Sequence, residues 1–334
     1  GNPAINTLAD FDRVLGMVKQ RYPNLIPYVT GAPTSWGNKA LRVWSGVSTD
    51  SFAEENGVIK YYINSGNYRN YLQYVNQLYR KGYIMADNYS FTDTDVKALF
   101  TNGQAFSLSH CTSGEIYTFG EMAKAADPKA YSREIAILNS DTKYYITDAG
   151  WAAVVIPRKS RYPEEAVKFM QFMWTEEGRR LSQWGREGIE YTLGNNGLPA
   201  FSQEWLDATK DSNVLNSKYN NLYWMTTNSA WLTQSIAATI PEPFLATYRS
   251  VLPHLYICPW LGAATPKAEG AEKNILTKLN DMITNAEVKC FLAENDTEFT
   301  RYYNELMSNA KTIGVDQLES YMNQQIGQYR TMYQ

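Results

Sequence analysis

Histidine and cysteine, the side chains that most often bind metals or assist nucleophiles, are few in this sequence. The 334 residues include two histidines, His110 and His254, and three cysteines, Cys111, Cys258 and Cys290. Zinc needs three or four protein ligands, whereas His110 and Cys111 supply only two adjacent ones. No CxxC pair or GxSxG motif accompanies these residues. We therefore predict no metal site, no catalytic residues and no disulfide framework.

Carboxylates offer a second kind of chemistry, the hydrolysis of a glycosidic bond. That reaction needs two carboxyl groups roughly 5–9.5 Å apart on either side of the bond. Glu187 and Glu190 are three residues apart and could face the same way on a helix. Gly185 and Gly188 beside them favour a turn instead. A glycoside hydrolase that uses a Glu/Asp pair therefore stays an alternative rather than the main hypothesis.

Aromatic residues are the most unusual feature of the composition, with 25 Tyr, 9 Trp and 12 Phe. Tyr and Trp combine a flat apolar face with a polar tip, which suits wet clefts that bind sugars or peptides. Trp36 and Trp44 lie in a polar stretch rich in Gly, Ser, Thr and Asn, so they are candidates for stacking on a ligand as well as for the core. Trp260 lies at the end of a polar, Trp-containing stretch, residues 200–262, and is a further ligand candidate.

Charge and hydropathy exclude two classes of function. Acidic residues outnumber basic ones, 34 to 31, which gives a net charge of −3. No run of basic residues reaches five, so a nucleic-acid-binding surface is not indicated. The sequence contains no stretch of about eighteen apolar residues, the length needed to span a membrane. The length itself suggests two domains.

Helical periodicity predicts the elements that must position these residues. The capping-box pattern of Thr7 and Asp10 begins a helix over about 7–21, and a second helix is expected over 67–81. Asp93 is predicted to cap a short helix over 93–101. Further helices are expected from Pro163, after Thr175, and in three segments of the last seventy residues.

Two segments have the pattern of strands. Residues 104–110 alternate so that Phe106, Leu108 and His110 share one face. The apolar run 150–157 is typical of a strand buried on both faces of a parallel sheet. Strands separated by helices in this way indicate an α/β protein.

Four segments, in order, resemble a known family. They are Thr7–Leu15, Tyr71–Ile84, Phe100–Ser109 and Ile156–Thr192, the last with Glu177-Gly178 and Glu187-Gly188-Ile189-Glu190-Tyr191-Thr192. Together they are similar to extracellular solute-binding proteins of carbohydrate ABC importers, the maltose-binding-protein-like group, and to its long lipoprotein members. The resemblance covers roughly residues 5–195 and, more loosely, the helical C-terminus.

The resemblance implies a fold and a domain division. We expect an α/β, helix-rich, periplasmic-binding-protein-like fold of type II with two lobes. Residues 1–142 would form the main part of lobe two and residues 143–235 the returning part of lobe one, with a hinge crossing near 143–150. Residues 236–334 would pack back on lobe two. The chain begins at Gly1 without Met, so we expect an N-terminally truncated member that lacks the first part of lobe one.

The resemblance also implies site residues. The turn after the third segment would approach the ligand with His110, Thr112 and Tyr117. The start of the hinge-proximal strand would do so with Trp151. A role in the core is favoured over a ligand contact for His110, which shares its strand face with Phe106 and Leu108. For Trp151, at the start of a predicted buried strand, core packing and a place in the cleft wall are equally open. In the last segment, Glu190 and Tyr191 are further candidates.

The implied function is binding of an extracellular solute, most simply an oligosaccharide, and its delivery to an ABC transporter permease. No cofactor and no enzyme activity are expected, and no nucleic acid is expected as a partner. The protein would act as a monomer at the cell surface, attached to the membrane only through a lipid anchor absent from this chain. Besides the hydrolase, a peptide-binding surface lipoprotein stays an alternative.

Overall fold

The chain divides into two units. A computed structural model describes residues 3–32, 37–109, 113–147, 154–208, 212–219, 240–267 and 269–333. Unit 1 combines Gly1–Ala149 with Thr247–Gln334, and unit 2 is Gly150–Ala246. The assignment of chain segments to lobes one and two, with boundaries at 142 and 235, stays a prediction.

Helices dominate both units. Those that begin in unit 1 before the crossing are α1 Leu8–Arg21, α2 Asn38–Trp44, α3 Tyr68–Arg80, α4 Asp93–Thr101 and α5 Ser113–Ala123. Those that begin in unit 2 are α6 Pro163–Met173, α7 Glu176–Gln183, α8 Gln203–Ala208, α9 Ser212–Tyr219 and α10 Glu242–Val251. The last part of unit 1 contains α11 Pro259–Ala264, α12 Ala271–Phe291, α13 Asp296–Ile313 and α14 Val315–Tyr333. None of the helices in the described part of the chain combines the length and apolar character of a membrane span.

Strands in the described residues are short and pair two by two. They are β1 Ile26–Val29, β2 Phe52–Glu55, β3 Val58–Tyr61, β4 Ala105–Leu108, β5 Tyr144–Ile146, β6 Tyr191–Leu193, β7 Pro199–Phe201 and β8 Leu255–Ile257. The pairs β1–β4 and β5–β8 are parallel, whereas β2–β3 and β6–β7 are antiparallel hairpins. Both parallel strand pairs thus lie in unit 1.

Helix starts follow the sequence signals closely. The Asp10 amide donates to Thr7 Oγ1 at 3.0 Å, and the Thr7 amide donates back to the Asp10 carboxylate, so the predicted capping box is confirmed. The helices predicted over 67–81 and 93–101 are α3 and α4. The predicted cap at Asp93 is wrong. Thr92 caps α4 in a second capping box, because its Oγ1 accepts from the amide of Asp95.

The predicted strand over 104–110 is confirmed as β4, but its inner face is the opposite one. Ala105 is 5% exposed and packs with Val29 and Val96, whereas Phe106 is 42% exposed. Successive strand residues face opposite sides, so a core that takes Ala105 must turn Phe106 outwards. The predicted strand over 150–157 is not formed at residues 154–157, and residues 150–153 lie outside the described ones.

The C-terminal helices complete the core of unit 1. Apolar side chains of α12, α13 and α14 join one hydrophobic cluster with those of α1, α3 and the β2–β3 hairpin. The buried Asn76 of α3 donates to the carbonyls of Phe291 at 3.0 Å and Ala293 at 2.7 Å, which satisfies backbone acceptors where α12 ends. Segments more than two hundred residues apart therefore share one interior.

A carboxyl group lies inside this interior. Glu287 of α12 is 5% exposed and accepts from the hydroxyls of Tyr62 at 3.1 Å and Tyr68 at 2.9 Å. The Arg42 guanidinium lies over the Tyr62 ring, 3.9 Å from its centroid. Burial raises the pKa of Glu287 above its usual value, and Arg42 and the tyrosine hydroxyls offset only part of that rise.

We expect Glu287 to make stability fall as pH rises. An acid whose pKa is higher in the folded state binds its proton more tightly there. Its contribution to the free energy of unfolding is therefore full below the ordinary pKa of 4.5 and is lost as pH rises through the raised pKa of the folded state. Glu287→Gln keeps an acceptor but cannot ionise. Thermal unfolding from pH 4 to 8 should show wild type losing stability relative to this variant; the opposite trend would refute the raised pKa.

Candidate functional site

The carboxyl ends of β1 and β4 form the first candidate edge. The strands are parallel, with Tyr28 opposite Ser107 and Val29 opposite Leu108. In α/β proteins ligands bind beyond the carboxyl ends of parallel strands. The chain that follows β1 leads to Trp36, and the chain that follows β4 leads to His110 and Thr112. These three predicted ligand residues lie outside the described residues, so their roles stay predictions.

Two buried amide side chains fix the segment after β1. Asn88 Oδ1 accepts from the Thr30 amide at 2.9 Å, and its Nδ2 donates to Thr30 Oγ1 at 2.9 Å. Asn38 Nδ2 donates to the carbonyls of Gly31 at 2.9 Å and Ala32 at 2.6 Å. These backbone groups have left the strand ladder, and a buried group without a partner costs about 1–3 kcal/mol. The amides therefore hold the backbone that leads to Trp36.

Close backbone contact joins the two strand ends. The Ser109 amide donates to the Val29 carbonyl at 3.3 Å, and the Ser109 and Tyr28 hydroxyls form a hydrogen bond. A Cβ at Gly37 would lie 2.1 Å from the Thr30 carbonyl oxygen and 2.9 Å from that of Ser109. The chain can therefore return to α2 so close to both strand ends only because residue 37 is glycine.

Tyr117 is the one predicted residue of this edge whose structure is described. It lies on α5, which begins directly after residues 110–112, and its side chain is partly buried. The helix therefore starts at the carboxyl end of β4 and carries Tyr117 just beyond its first turn.

The second candidate edge lies at the carboxyl ends of β5 and β8. These strands are also parallel, and the Cys258 amide donates to the Ile146 carbonyl at 2.9 Å. Beyond β5 the chain runs towards Trp151, which lies outside the described residues. Beyond β8 comes α11 with Trp260, whose partly buried ring meets Tyr256 edge-on at 6.3 Å between centroids. Trp260 Nε1 is buried and has no hydrogen-bond partner in the described chain.

A charged cluster lies beside the Trp260 ring. Arg330 pairs with Glu54, which also accepts from the Tyr256 hydroxyl at 2.8 Å, and the guanidinium lies 5.9 Å from the Trp260 ring centroid. Burial acts to raise the pKa of Glu54, but hydrogen bonds from Arg330 and Tyr256 outweigh it and hold the pKa below 4.5. Burial, reinforced by Glu54, raises the pKa of Tyr256 to about 12, so its hydroxyl stays a donor.

Trp44 lies in the core, contrary to the ligand role considered for it. Its ring is 6% exposed and packs edge-on against Phe11 at 5.7 Å between centroids. The polar sequence around it suggested a loop, but residues 38–44 form α2 and place Trp44 on its inner face. Buried in this way, the side chain has little surface left for a sugar.

Glu190 and Tyr191 are also accounted for by packing, within unit 2. The Glu190 carboxylate is 4% exposed and accepts from the Arg186 amide, Nε and Nη2 at 2.6, 3.0 and 2.6 Å. Tyr191 is 3% exposed and meets Trp184 edge-on. Gly185, at φ +91°, allows this turn, since a Cβ there would lie 2.7 Å from that of Glu190. These contacts argue against a ligand role for either residue.

Sequence reasoning missed the residues that support the first edge. Asn38, Asn88, Thr30 and Gly37 belong to no motif, because buried amides serve whichever backbone groups the fold leaves unpaired. In the described part of the chain, no three His, Cys, Asp or Glu side chains are grouped so as to hold a metal ion.

Comparisons with solved structures identify the fold. No protein-family model and no curated protein matches the sequence. Among solved structures, the alginate-binding protein AlgQ2 without calcium ion is similar over 97% of this chain and 68% of its own, at 19% identity and TM-score 0.66. An extracellular solute-binding protein from Bifidobacterium longum subsp. infantis is similar over 98% of this chain and 70% of its own, at 14% identity and TM-score 0.70. This chain has the solute-binding-protein fold.

A third structure adds to the comparison. It is an HMO-binding, ABC-transporter-associated solute-binding protein from Bifidobacterium longum infantis ATCC 15697, similar over 97% of this chain and 70% of its own, at 13% identity and TM-score 0.66. The solute-binding-protein fold confirms the predicted fold class, an α/β periplasmic-binding-protein-like fold of type II. All three are named as binding proteins rather than enzymes.

We expect Gly37→Ala to destabilise unit 1. The new methyl group must displace the Thr30 or Ser109 carbonyl, and forced packing of this kind typically costs about 1–3 kcal/mol. Gly66→Ala is the matched control, because nothing lies within 4 Å of a Cβ there. Chemical unfolding should show the control within about 0.5 kcal/mol of wild type; equal effects of the two substitutions would contradict the close approach at Gly37.

We expect Arg186→Ala to lower the melting temperature most at neutral pH. Hydrogen bonds from Arg186 hold the pKa of Glu190 below 4.5, so the stability this pair contributes is present above that pH and is lost as pH falls through the lowered pKa. The difference from wild type should shrink in acid. Arg161→Ala, at an exposed arginine of unit 2, is the control. A pH-independent difference would mean that Arg186 acts through packing alone.

Proposed function

We propose that this protein binds an extracellular oligosaccharide and delivers it to the permease of an ABC importer. One observation carries the proposal: the chain shares its fold, over nearly all its length, with proteins named for binding alginate and HMO. The motif resemblance to carbohydrate importers points the same way from the sequence alone.

The two strand edges of unit 1 supply suitable chemistry. A sugar ring presents C–H faces and hydroxyl groups, which call for aromatic platforms beside polar side chains. Of the predicted ligand residues, Tyr117 lies on α5 after β4 and Trp260 on α11 after β8. Trp36, His110, Thr112 and Trp151 lie outside the described residues and are proposed from the sequence alone. We place the ligand at these edges. Trp44, Glu190 and Tyr191 stay outside the proposed site because their side chains are enclosed by their own units.

The proposed role involves binding and release without a chemical step. In unit 2 the Glu190 carboxylate is buried and pairs with the exposed Arg186, which accounts for it by structure rather than by catalysis. We further propose that the protein works outside the cell as a monomer, held to the membrane by a lipid anchor. The motifs shared with long lipoprotein members support this part of the proposal.

Titration calorimetry against alginate oligosaccharides, HMO and malto-oligosaccharides tests the function, and we expect one of them to bind. Trp36→Ala and Trp151→Ala should each weaken binding by about tenfold or more, since a lost aromatic stack of roughly 1.4 kcal/mol corresponds to tenfold. Trp174→Ala, at a tryptophan 51% exposed on unit 2, should not.

The same samples separate the alternatives. Release of reducing sugar would favour the hydrolase, and a shift in melting temperature with peptides but not with glycans would favour peptide binding. Absence of binding to every glycan would count against the proposed function. If the Trp36 and Trp151 variants bound a glycan as tightly as wild type does, the proposed function would stand but the proposed location of the site would be wrong.

A further inference from the structure

The orientation of the Trp260 ring at the second edge is set by ring contacts rather than by a hydrogen bond. Trp260 Nε1 is buried and makes no hydrogen bond within the described residues. The helix that carries this ring, α11, is fixed independently. A Cβ at Gly262 would lie 2.1 Å from the Thr147 carbonyl oxygen, so the helix backbone lies directly against the chain that leaves β5. What remains to be fixed is the direction of the indole on that helix.

Two side chains supply the ring contacts. Tyr256 of β8 meets the Trp260 ring edge-on, at 89° and with 6.3 Å between the centroids. The Arg330 guanidinium of α14 lies 5.9 Å from the centroid of the same ring, within the range in which an aromatic face attracts a cation. Helices α11 and α14 also pack against each other. The indole is therefore bordered by a phenol ring and by a cation.

Both of these side chains depend on Glu54 of β2. Its carboxylate accepts from the Tyr256 hydroxyl at 2.8 Å and pairs with Arg330 through the same oxygen. The Glu54 and Arg330 side chains are 16% and 31% exposed, so water screens the pair less than it screens a fully exposed one. The Tyr145 hydroxyl fixes the Glu54 backbone, because it accepts from the amide at 3.0 Å and donates to the carbonyl at 3.3 Å. Glu54 is thus a fixed acceptor for the two groups that border Trp260.

We propose that Glu54 and Arg330 are positioning residues for ligand binding at the second edge. Glu54 holds Arg330 and the Tyr256 hydroxyl, and these two side chains hold the Trp260 ring in one orientation. A ring that is already oriented can stack on a sugar with little further loss of rotamer freedom. The inference rests on the proposed function, and within it on Trp260 as a ligand contact. It assigns a role in recognition to two residues that act through the tryptophan.

The first measurement needs no ligand. Tryptophan labelled with an NMR-active nitrogen isotope gives each indole its own N–H signal, and Trp260→Phe identifies the signal of Trp260. We expect Glu54→Gln and Arg330→Met to shift and broaden this signal, because the ring then samples several orientations. Arg330→Lys should restore much of the wild-type signal, since it keeps the cation. The matched control is Arg301→Met on α13, where the arginine also pairs with a glutamate and lies 4.3 Å from the Tyr302 ring centroid. It should leave the Trp260 signal unchanged.

The second measurement is titration calorimetry against the same panel of alginate oligosaccharides, HMO and malto-oligosaccharides. We expect Glu54→Gln and Arg330→Met each to weaken binding by about three- to tenfold, the effect of losing a ring contact of this strength. Combined with Trp260→Ala, neither substitution should weaken binding further, because a residue that acts through Trp260 then has nothing left to position. A merely structural loss would instead add to the effect of Trp260→Ala.

Each measurement can overturn the inference. An unchanged Trp260 indole signal in both variants would show that Glu54 and Arg330 do not hold the ring. Additive losses of affinity in the combined variants would show that the pair acts on the fold rather than through Trp260. A glycan that bound wild type and both single variants equally tightly would overturn the inference and leave the proposed function intact. If wild type bound no glycan, the proposed function would fail, and the indole signal would still decide whether the pair holds the ring.

Discussion

The backbone polar groups at the carboxyl end of β1 impose the constraint on which the first site edge depends. A chain that leaves a buried parallel strand takes N–H and C=O groups out of the ladder while they are still shielded from water. Here Asn88 and Asn38 supply the missing partners for Thr30, Gly31 and Ala32. Because each amide carries both donors and an acceptor, two side chains can fix three residues of irregular backbone.

That arrangement requires support from distant parts of the chain. Asn88 lies in a short turn between α3 and α4, and α3 is held by α12 through Asn76 and the shared apolar cluster. The β2–β3 hairpin is hydrogen-bonded to α14. Glu319 and Asn323 of α14 accept from the backbone amides of Tyr61 at 2.7 Å and Ile59 at 2.9 Å. The last sixty residues therefore act on the site indirectly, by making the interior of unit 1 rigid.

Local signals predicted most of the helices, whereas the site depended on information the sequence does not carry locally. The Thr7–Asp10 box and the periodicity of α3 and of the C-terminal helices determine local structure by contacts within one or two turns. The inner face of β4 could not be read in the same way. Apolar residues occur on both of its sides, and only the packing of Ala105 against Val96 decides between them.

For a related reason, the sequence could not separate aromatic residues of the core from candidate ligand contacts. Trp44 and Tyr191 have the chemistry of ligand contacts, but the same chemistry serves a core that accepts edge-on aromatic pairs. Their roles are decided by burial, which emerges only when α2 packs on α1 and when Arg186 closes the turn over Glu190.

The contrast between the two units bears on how binding energy would be used. In unit 1 the described loops at the strand ends are held by buried hydrogen bonds before any ligand arrives, so ordering them on binding costs little. A ligand that binds at these edges would then gain affinity from its contacts without first having to organise the backbone. In unit 2, by contrast, α6 and residues 154–156 leave apolar side chains exposed to water, which is unfavourable. The edges of unit 1, whose backbone is held in place without a ligand, are therefore the part of this chain that we propose to recognise one.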